Sequence, residues 1–170
     1  LANFIFVYAL LAVDEGYDES FSGIGQDTLL ERARAALRYF TRTHVTGDML
    51  CADSRAWGQQ PAEWLSPWVI SKAVAGARLI WDELTQTEKG DIRRIVIHEA
   101  DYQLRNSADS QEYVDTNAEL NAWNGEVVAW ASSLFPTHTH AQEWYSKAQE
   151  FFMNTFSIRG DRSDARIVDG

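Results

Sequence analysis

The chain has 170 residues, 45% hydrophobic and 24% charged, enough apolar material for a folded domain with its own core. Its net charge of −10 and pI near 4.8, read with no basic run or basic helix face, argue against nucleic acid as a partner. The same acidity disfavours a strongly anionic polymer unless basic residues are gathered locally in a cleft. Cys51 is the single cysteine, so there is no intrachain disulfide and no indication of redox compartment.

The first apolar run, FIFVYALLAV from Phe4 to Val13, is ten residues long. A bilayer needs about 20, and no basic segment or cleavage site frames the run as a leader. It reads as a helix, with no membrane span. Leu30, Ala33, Leu37, Phe40 and His44 mark a second helix, opened by a capping box at Thr28-x-x-Glu31.

A long connector follows, VTGDMLCADSRAWGQQPAEWLS. It gathers Trp57, Trp64, Gln59, Gln60 and Glu63, with Trp68 just beyond. Aromatic faces beside amides and a carboxylate suit a sugar-binding subsite. Equally, Trp57 and Trp64 suit pins that hold a long loop to the core, and Trp68 is assigned to the core.

Ser66-Pro67 reads as an N-cap and first helical residue. The helix it opens has the stripe Ile70, Ala73, Val74, Ala77, Ile80, Trp81 and Leu84. Thr85-x-x-Glu88 opens the next, with Ile92, Ile95, Val96 and Tyr102 inward. Glu99 falls inside that stripe, where a carboxylate has to be paired, hydrogen-bonded or protonated; a buried structural partner is the favoured reading. His98-Glu99 lacks the second histidine of a zinc helix, so no metal or cofactor is assigned. Tyr113, in the loop SADSQEYVD, is either a phenolic acid or base or an ordinary loop tyrosine.

TNAELNAWN then starts a helix at Thr116-x-x-Glu119. Asn117, Asn121 and Asn124 share a strip within roughly 60° at about 100° per residue. Asparagine is a poor helix former, so three in one strip call for a reason. Amides that donate and accept at once match sugar hydroxyls, and the helix start favours a carboxylate. The strip is read as the mouth of a polar cleft, against the alternative that the amides satisfy nearby backbone. A short turn, FPTHTHA, holds His138 and His140 beside a cap at Thr139-x-x-Gln142; helix entry explains these histidines better than a metal does. The final helix carries Trp144, Ala148, Phe151, Phe152 and Thr155, and Arg159, Arg162 and Arg166 lie in a solvated tail.

The pattern predicts an all-α fold of about six helices, without a strand. Short and long connectors alternate, which makes hairpins of neighbouring helices and suits a toroid of helix pairs. Residues 1–170 are read as one all-α domain, the N-terminal half of a larger toroid.

Three segments carry a resemblance: RAWGQQPAEWLSPWVISKAVAGARLIWDEL, HEADYQL, and DTNAELNAWNGEVVAWASSLFPTHTHAQEWYSKAQEFFMNTFS. Through Glu119, Asn121, Ala122, Trp123, Phe135, Pro136, His138 and Asn154, they resemble a family of (α/α) toroid proteins related to heparinase II/III-type and alginate-lyase-type enzymes. The NHxFFHPxY-like aromatic segment of that family is not in this chain.

The resemblance implies polysaccharide processing, by a lyase on uronate-containing glycans or by a hydrolase. In such lyases an Asn, sometimes with Arg, neutralises the uronate carboxylate, which acidifies the C5 proton for removal by His or Tyr. Asn121 and Asn124, with Asn117 beside them, are the candidates for the carboxylate role, and Tyr113 for proton transfer. Trp57, Trp64, Gln59, Gln60 and Glu63 are the substrate-binding candidates. The expected partner is a polysaccharide or oligosaccharide. A hydrolase would need two carboxylates roughly 5–10 Å apart across a cleft, and a non-catalytic helical-hairpin module that binds a glycan or protein is the third possibility.

Overall fold

The computed structural model describes residues 1–58, 65–106 and 118–155. Among these the fold is all-α: seven helices and one 3₁₀ turn, with no strand. They are α1 (Ala2–Val13), α2 (Glu19–Ser22), α3 (Gln26–Arg42), α4 (Ser66–Leu79), α5 (Gln86–Asn106), α6 (Ala118–Leu134) and α7 (Ala141–Thr155). Six are the helices the periodicity predicts; the four-residue α2 is the addition. No helix among the described residues is long and apolar enough to cross a membrane.

The chain divides into two compact units. One comprises residues 1–60 and 69–95, the other residues 61–68 and 96–170. Helices α4 and α5 contribute residues to both.

In the first unit α1 packs on α3. α3 buries Leu29, Ala33, Leu37 and Phe40, so Leu29 takes the inward place that the sequence reading gave to Leu30. α3 also starts earlier than Thr28. Its N-cap is Gly25, and the open Gln26 N–H is met at 2.8 Å by Glu19 Oε1 from α2. The Gln26 amide in turn donates to the Leu11 and Asp14 carbonyls, closing the C-terminal end of α1. Glu31, assigned to a capping box, pairs instead with Arg34.

α4 meets α1 at Gly76. A Cβ there would lie 2.7 Å from Phe6 Cα, so the two backbones approach as only glycine allows. Ser66, expected as the cap of α4, is its first helical residue, and its buried hydroxyl makes no hydrogen bond among the described residues. The predicted box at Thr85 is present: Glu88 N–H donates to Thr85 Oγ1 at 3.2 Å, and Glu88 Oε2 accepts the Thr85 N–H at 2.8 Å.

In the second unit α6 and α7 form the predicted hairpin. Gly125 of α6 is the contact point, since a Cβ there would press on the Phe152 ring and lie 3.2 Å from Phe151 Cβ. Val127, Val128, Ala131, Phe135, Trp144, Ala148 and Phe151 are buried. The start of α7 is set by His138, whose Nδ1 accepts the His140 N–H, rather than by a Thr139–Gln142 box. Thr116 lies outside the described residues. Trp68 is half-buried rather than core, its ring 5.9 Å from that of Trp123.

Two glycines separate packing from propensity. Gly76→Ala is expected to destabilise by about 1–3 kcal/mol despite alanine's better helix propensity, because α1 has to move. Gly90 lies exposed in α5 with nothing within 4 Å of a built Cβ. Gly90→Ala is expected to stabilise by about 0.5–1 kcal/mol. Urea titration of both variants checks the pair; equal and opposite signs to these would show that α1 does not press on Gly76.

Candidate functional site

The first unit contains a cleft of about 660 Å³, within the range of roughly 300–1,000 Å³ usual for ligand sites. One wall is α3, which presents Arg34, Arg38 and Arg42. They follow at four-residue steps, so they share a face and climb it by about 6 Å per step. The loop after α3 adds Thr46, Gly47 and Asp48. The first turns of α5 add Thr85, Thr87, Glu88, Asp91 and Arg94. Four guanidiniums therefore face three carboxylates, a formal +1 in a chain whose net charge is −10.

Glu88 organises this wall. Its carboxylate accepts five donors: the Thr85 N–H and hydroxyl, two nitrogens of Arg34, at 3.3 and 3.1 Å, and Nη1 of Arg38 at 2.9 Å. The side chain is 6% exposed. Burial by itself would raise its pKa; the Thr85 amide, the two guanidiniums and the Thr85 hydroxyl outweigh that and bring it down to about 2. Glu88 is thus ionised throughout the ordinary pH range, and it fixes α3 to the start of α5.

Arg94 does the same for the loop. Its Nη1 donates to Thr46 Oγ1 at 2.6 Å, and Nη2 donates to the Thr41 carbonyl at the end of α3 and to Asp91. With Thr46 Oγ1 accepting from Arg94, its own proton goes to His44 Nδ1 at 2.8 Å, which also accepts the Thr46 N–H. Neutral His44 then carries its proton on Nε2. Gly47 is required here because a Cβ would run into the Arg42 carbonyl.

The arginines differ in what they have left to give. Arg34 engages all three nitrogens, with Glu31 and Glu88. Among the described residues Arg42 uses Nε and Nη2 on Asp48, at 2.9 and 3.0 Å, and Arg38 uses Nη1 alone. The side chains of Arg38 and Arg42 are 44% and 49% exposed, against 20% for Arg34.

Of the residues nominated from sequence, Trp57, Asn121 and Asn124 are described, and none of the three lines this cleft. Asn121 and Asn124 share a face of α6 as predicted, but that face is buried, at 1% and 2% exposure. Trp57 anchors its loop: its indole N–H donates to the Phe40 carbonyl at 2.8 Å, and its ring lies 4.1 Å from that of Phe40. Its backbone pairs with Thr43 and Val45. Gln59, Gln60, Glu63, Trp64, Tyr113 and Asn117 lie outside the described residues, as do Arg159, Arg162 and Arg166. Glu99 is buried as expected, with Oε1 3.5 Å from His98 Nδ1. Three of the cleft arginines are legible in ERARAALRYFTR, which carries Arg34, Arg38 and Arg42 at four-residue steps and makes α3 a basic helix face, contrary to the expectation of none.

The second unit holds a separate polar cluster. Asp101 Oδ1 accepts from Trp144 Nε1 at 3.0 Å and lies 2.8 Å from His140 Nδ1. His138 stacks on Trp144 at 4.5 Å. The His140 pKa is raised, first by its hydrogen bond to Asp101 and then by that residue's charge.

Comparison of the chain with protein-family models, with curated proteins and with solved structures returns no match.

Two outcomes follow from these carboxylates. Glu88 has a depressed folded pKa, so its contribution is complete above the ordinary carboxylate range and is lost as pH falls toward 2. Glu88→Gln is expected to remove roughly 3 kcal/mol at neutral pH and much less near pH 2; urea unfolding at the two pH values checks it, and an equal loss at both would contradict the assignment. The His140 imidazole, followed by NMR, is expected to titrate above its ordinary value and to drop toward it in Asp101→Asn.

Proposed function

We propose that this chain is part of an (α/α) toroid protein that processes uronate-containing glycans, with the arginine-lined cleft receiving their carboxylates. The observation that carries the proposal is the concentration of four arginines on one cleft of a chain with net charge −10. Average charge repels an acidic polymer; a local basic cleft with low-dielectric walls draws one in. The planar guanidinium suits a carboxylate, and the hydroxyls of Thr46, Thr85 and Thr87 suit the sugar's own hydroxyls.

Lyase chemistry by β-elimination is the reaction this recognition serves best. Elimination needs the uronate carboxylate neutralised so that the neighbouring C5 proton becomes acidic, a base to take that proton and an acid to protonate the leaving oxygen; a guanidinium supplies the first, and Tyr113, outside the described residues, is the sequence candidate for the proton transfers. Hydrolysis fits less well. It needs a carboxylic acid held protonated near neutral pH, and the buried carboxylate of this cleft, Glu88, has its pKa pulled the other way, to about 2. A non-catalytic binding module would use the same cleft without turnover.

The test is titration calorimetry of this chain with uronate oligosaccharides and with matched neutral ones. Acidic oligomers are expected to bind at least about tenfold more tightly and to weaken as salt rises. Equal affinity for acidic and neutral oligomers would overturn the proposal. Ultraviolet absorbance from an unsaturated uronate, developing over time in the same mixtures, separates the lyase from the binding module.

A further inference from the structure

The four cleft arginines are unequal, and the inequality points to a finer specificity. Resting on the acidic-glycan reading above, we infer that Arg38 and Arg42 together read two anionic groups on adjacent sugar residues, while Arg34 and Arg94 hold the cleft in shape.

The donor inventory supports this division. A guanidinium has five N–H groups. Arg34 has every nitrogen engaged by Glu31 and Glu88, and it is the least exposed of the three on α3. Arg94 is engaged by Thr46, Asp91 and the Thr41 carbonyl, and moving it would release the loop that forms one side of the cleft. Arg38 gives one nitrogen to Glu88 and keeps Nε and Nη2 without a hydrogen bond among the described residues. Among the described residues Arg42 keeps Nη1, and its bidentate pair with Asp48 fixes the direction of the fork without exhausting it.

Spacing supplies the rest. Arg38 and Arg42 stand one helical turn apart on a shared face, about 6 Å along the axis. That is close to the length of a single pyranose ring. Acidic groups on consecutive sugars can therefore meet the two forks together, whereas a polymer that alternates a uronate with an uncharged sugar offers its second carboxylate one ring too far. Engaging both forks makes the second contact intramolecular, which multiplies affinity rather than adding to it. Asp48 and Asp91 in the cleft lining sharpen the choice, because an acidic group out of register meets like charge.

The experiment titrates this chain with two acidic tetrasaccharides, one of consecutive uronates and one alternating uronate with an uncharged sugar, together with a neutral control. Wild type is expected to bind the consecutive oligomer about tenfold or more above the alternating one. Arg38→Ala and Arg42→Ala are each expected to erase that preference, Arg42→Ala with a melting temperature close to wild type because its pair with Asp48 is exposed, and Arg38→Ala with a lower one because buried Glu88 loses a partner. Arg38→Lys keeps the charge but loses the planar fork, and is expected to recover only part of the preference. Equal affinity for the two acidic oligomers, or a preference that survives both alanine variants, overturns the paired reading and leaves acidic-glycan recognition standing. Failure of both acidic oligomers to bind more tightly than the neutral control overturns the recognition itself.

Discussion

The cleft exists because one carboxylate is asked to do two jobs. Glu88 is the third residue of the capping box that starts α5, and its oxygens satisfy the Thr85 amide and hydroxyl. The same two oxygens receive Arg34 and Arg38 from α3. A helix start is thereby joined to the side of another helix through a charged group that is almost fully buried. Burying a carboxylate is costly unless its lone pairs are filled; here five donors fill them. Removing any one partner leaves charge behind in a dry place, and so the arrangement is held as a unit.

That constraint also explains how a cleft with as many as four arginines stays open. Like charges at four-residue steps repel along a helix. Glu88 offsets Arg34 and Arg38, Asp48 offsets Arg42, and Asp91 offsets Arg94. The pairs set the directions of the guanidiniums before any ligand arrives, which lowers the entropy lost on binding. Since the pairings do not use every N–H, order is gained without giving up recognition. Arg34 is spent on structure; Arg38 and Arg42 keep donors to offer.

Much of this fold was legible in the sequence, and the misses have physical reasons. Six helices followed from apolar periodicity, and the Thr85-x-x-Glu88 box from a pattern with a mechanism. Gly25 and Glu19 were missed as the start of α3 because the acceptor comes from another helix, α2, at a separation that no local pattern contains. The asparagines on α6 show a different limit. Periodicity assigns Asn121 and Asn124 to one face but says nothing about depth, and that face is interior. The arginine face of α3 was hidden by averaging. A net charge of −10 describes the whole surface, whereas a ligand meets one cleft.

Helix α5 carries a second organising carboxylate, Asp101, whose partner His140 responds to pH in the opposite sense to Glu88. Glu88 works as an anion held by amides and guanidiniums, so its contribution is intact near neutrality and fades only in strong acid. His140 beside Asp101 has a raised pKa, so the protonated pair contributes fully below the ordinary histidine value and is lost as pH rises through the raised one. His140 lies at the entry to α7, where a helix start disfavours a cation. The Asp101 hydrogen bond and charge overcome that local preference. The Glu88 clasp and the protonated His140–Asp101 pair are therefore both complete only on the mildly acidic side of neutrality: acid removes the clasp at the start of α5, and alkali weakens the anchor at the entry to α7.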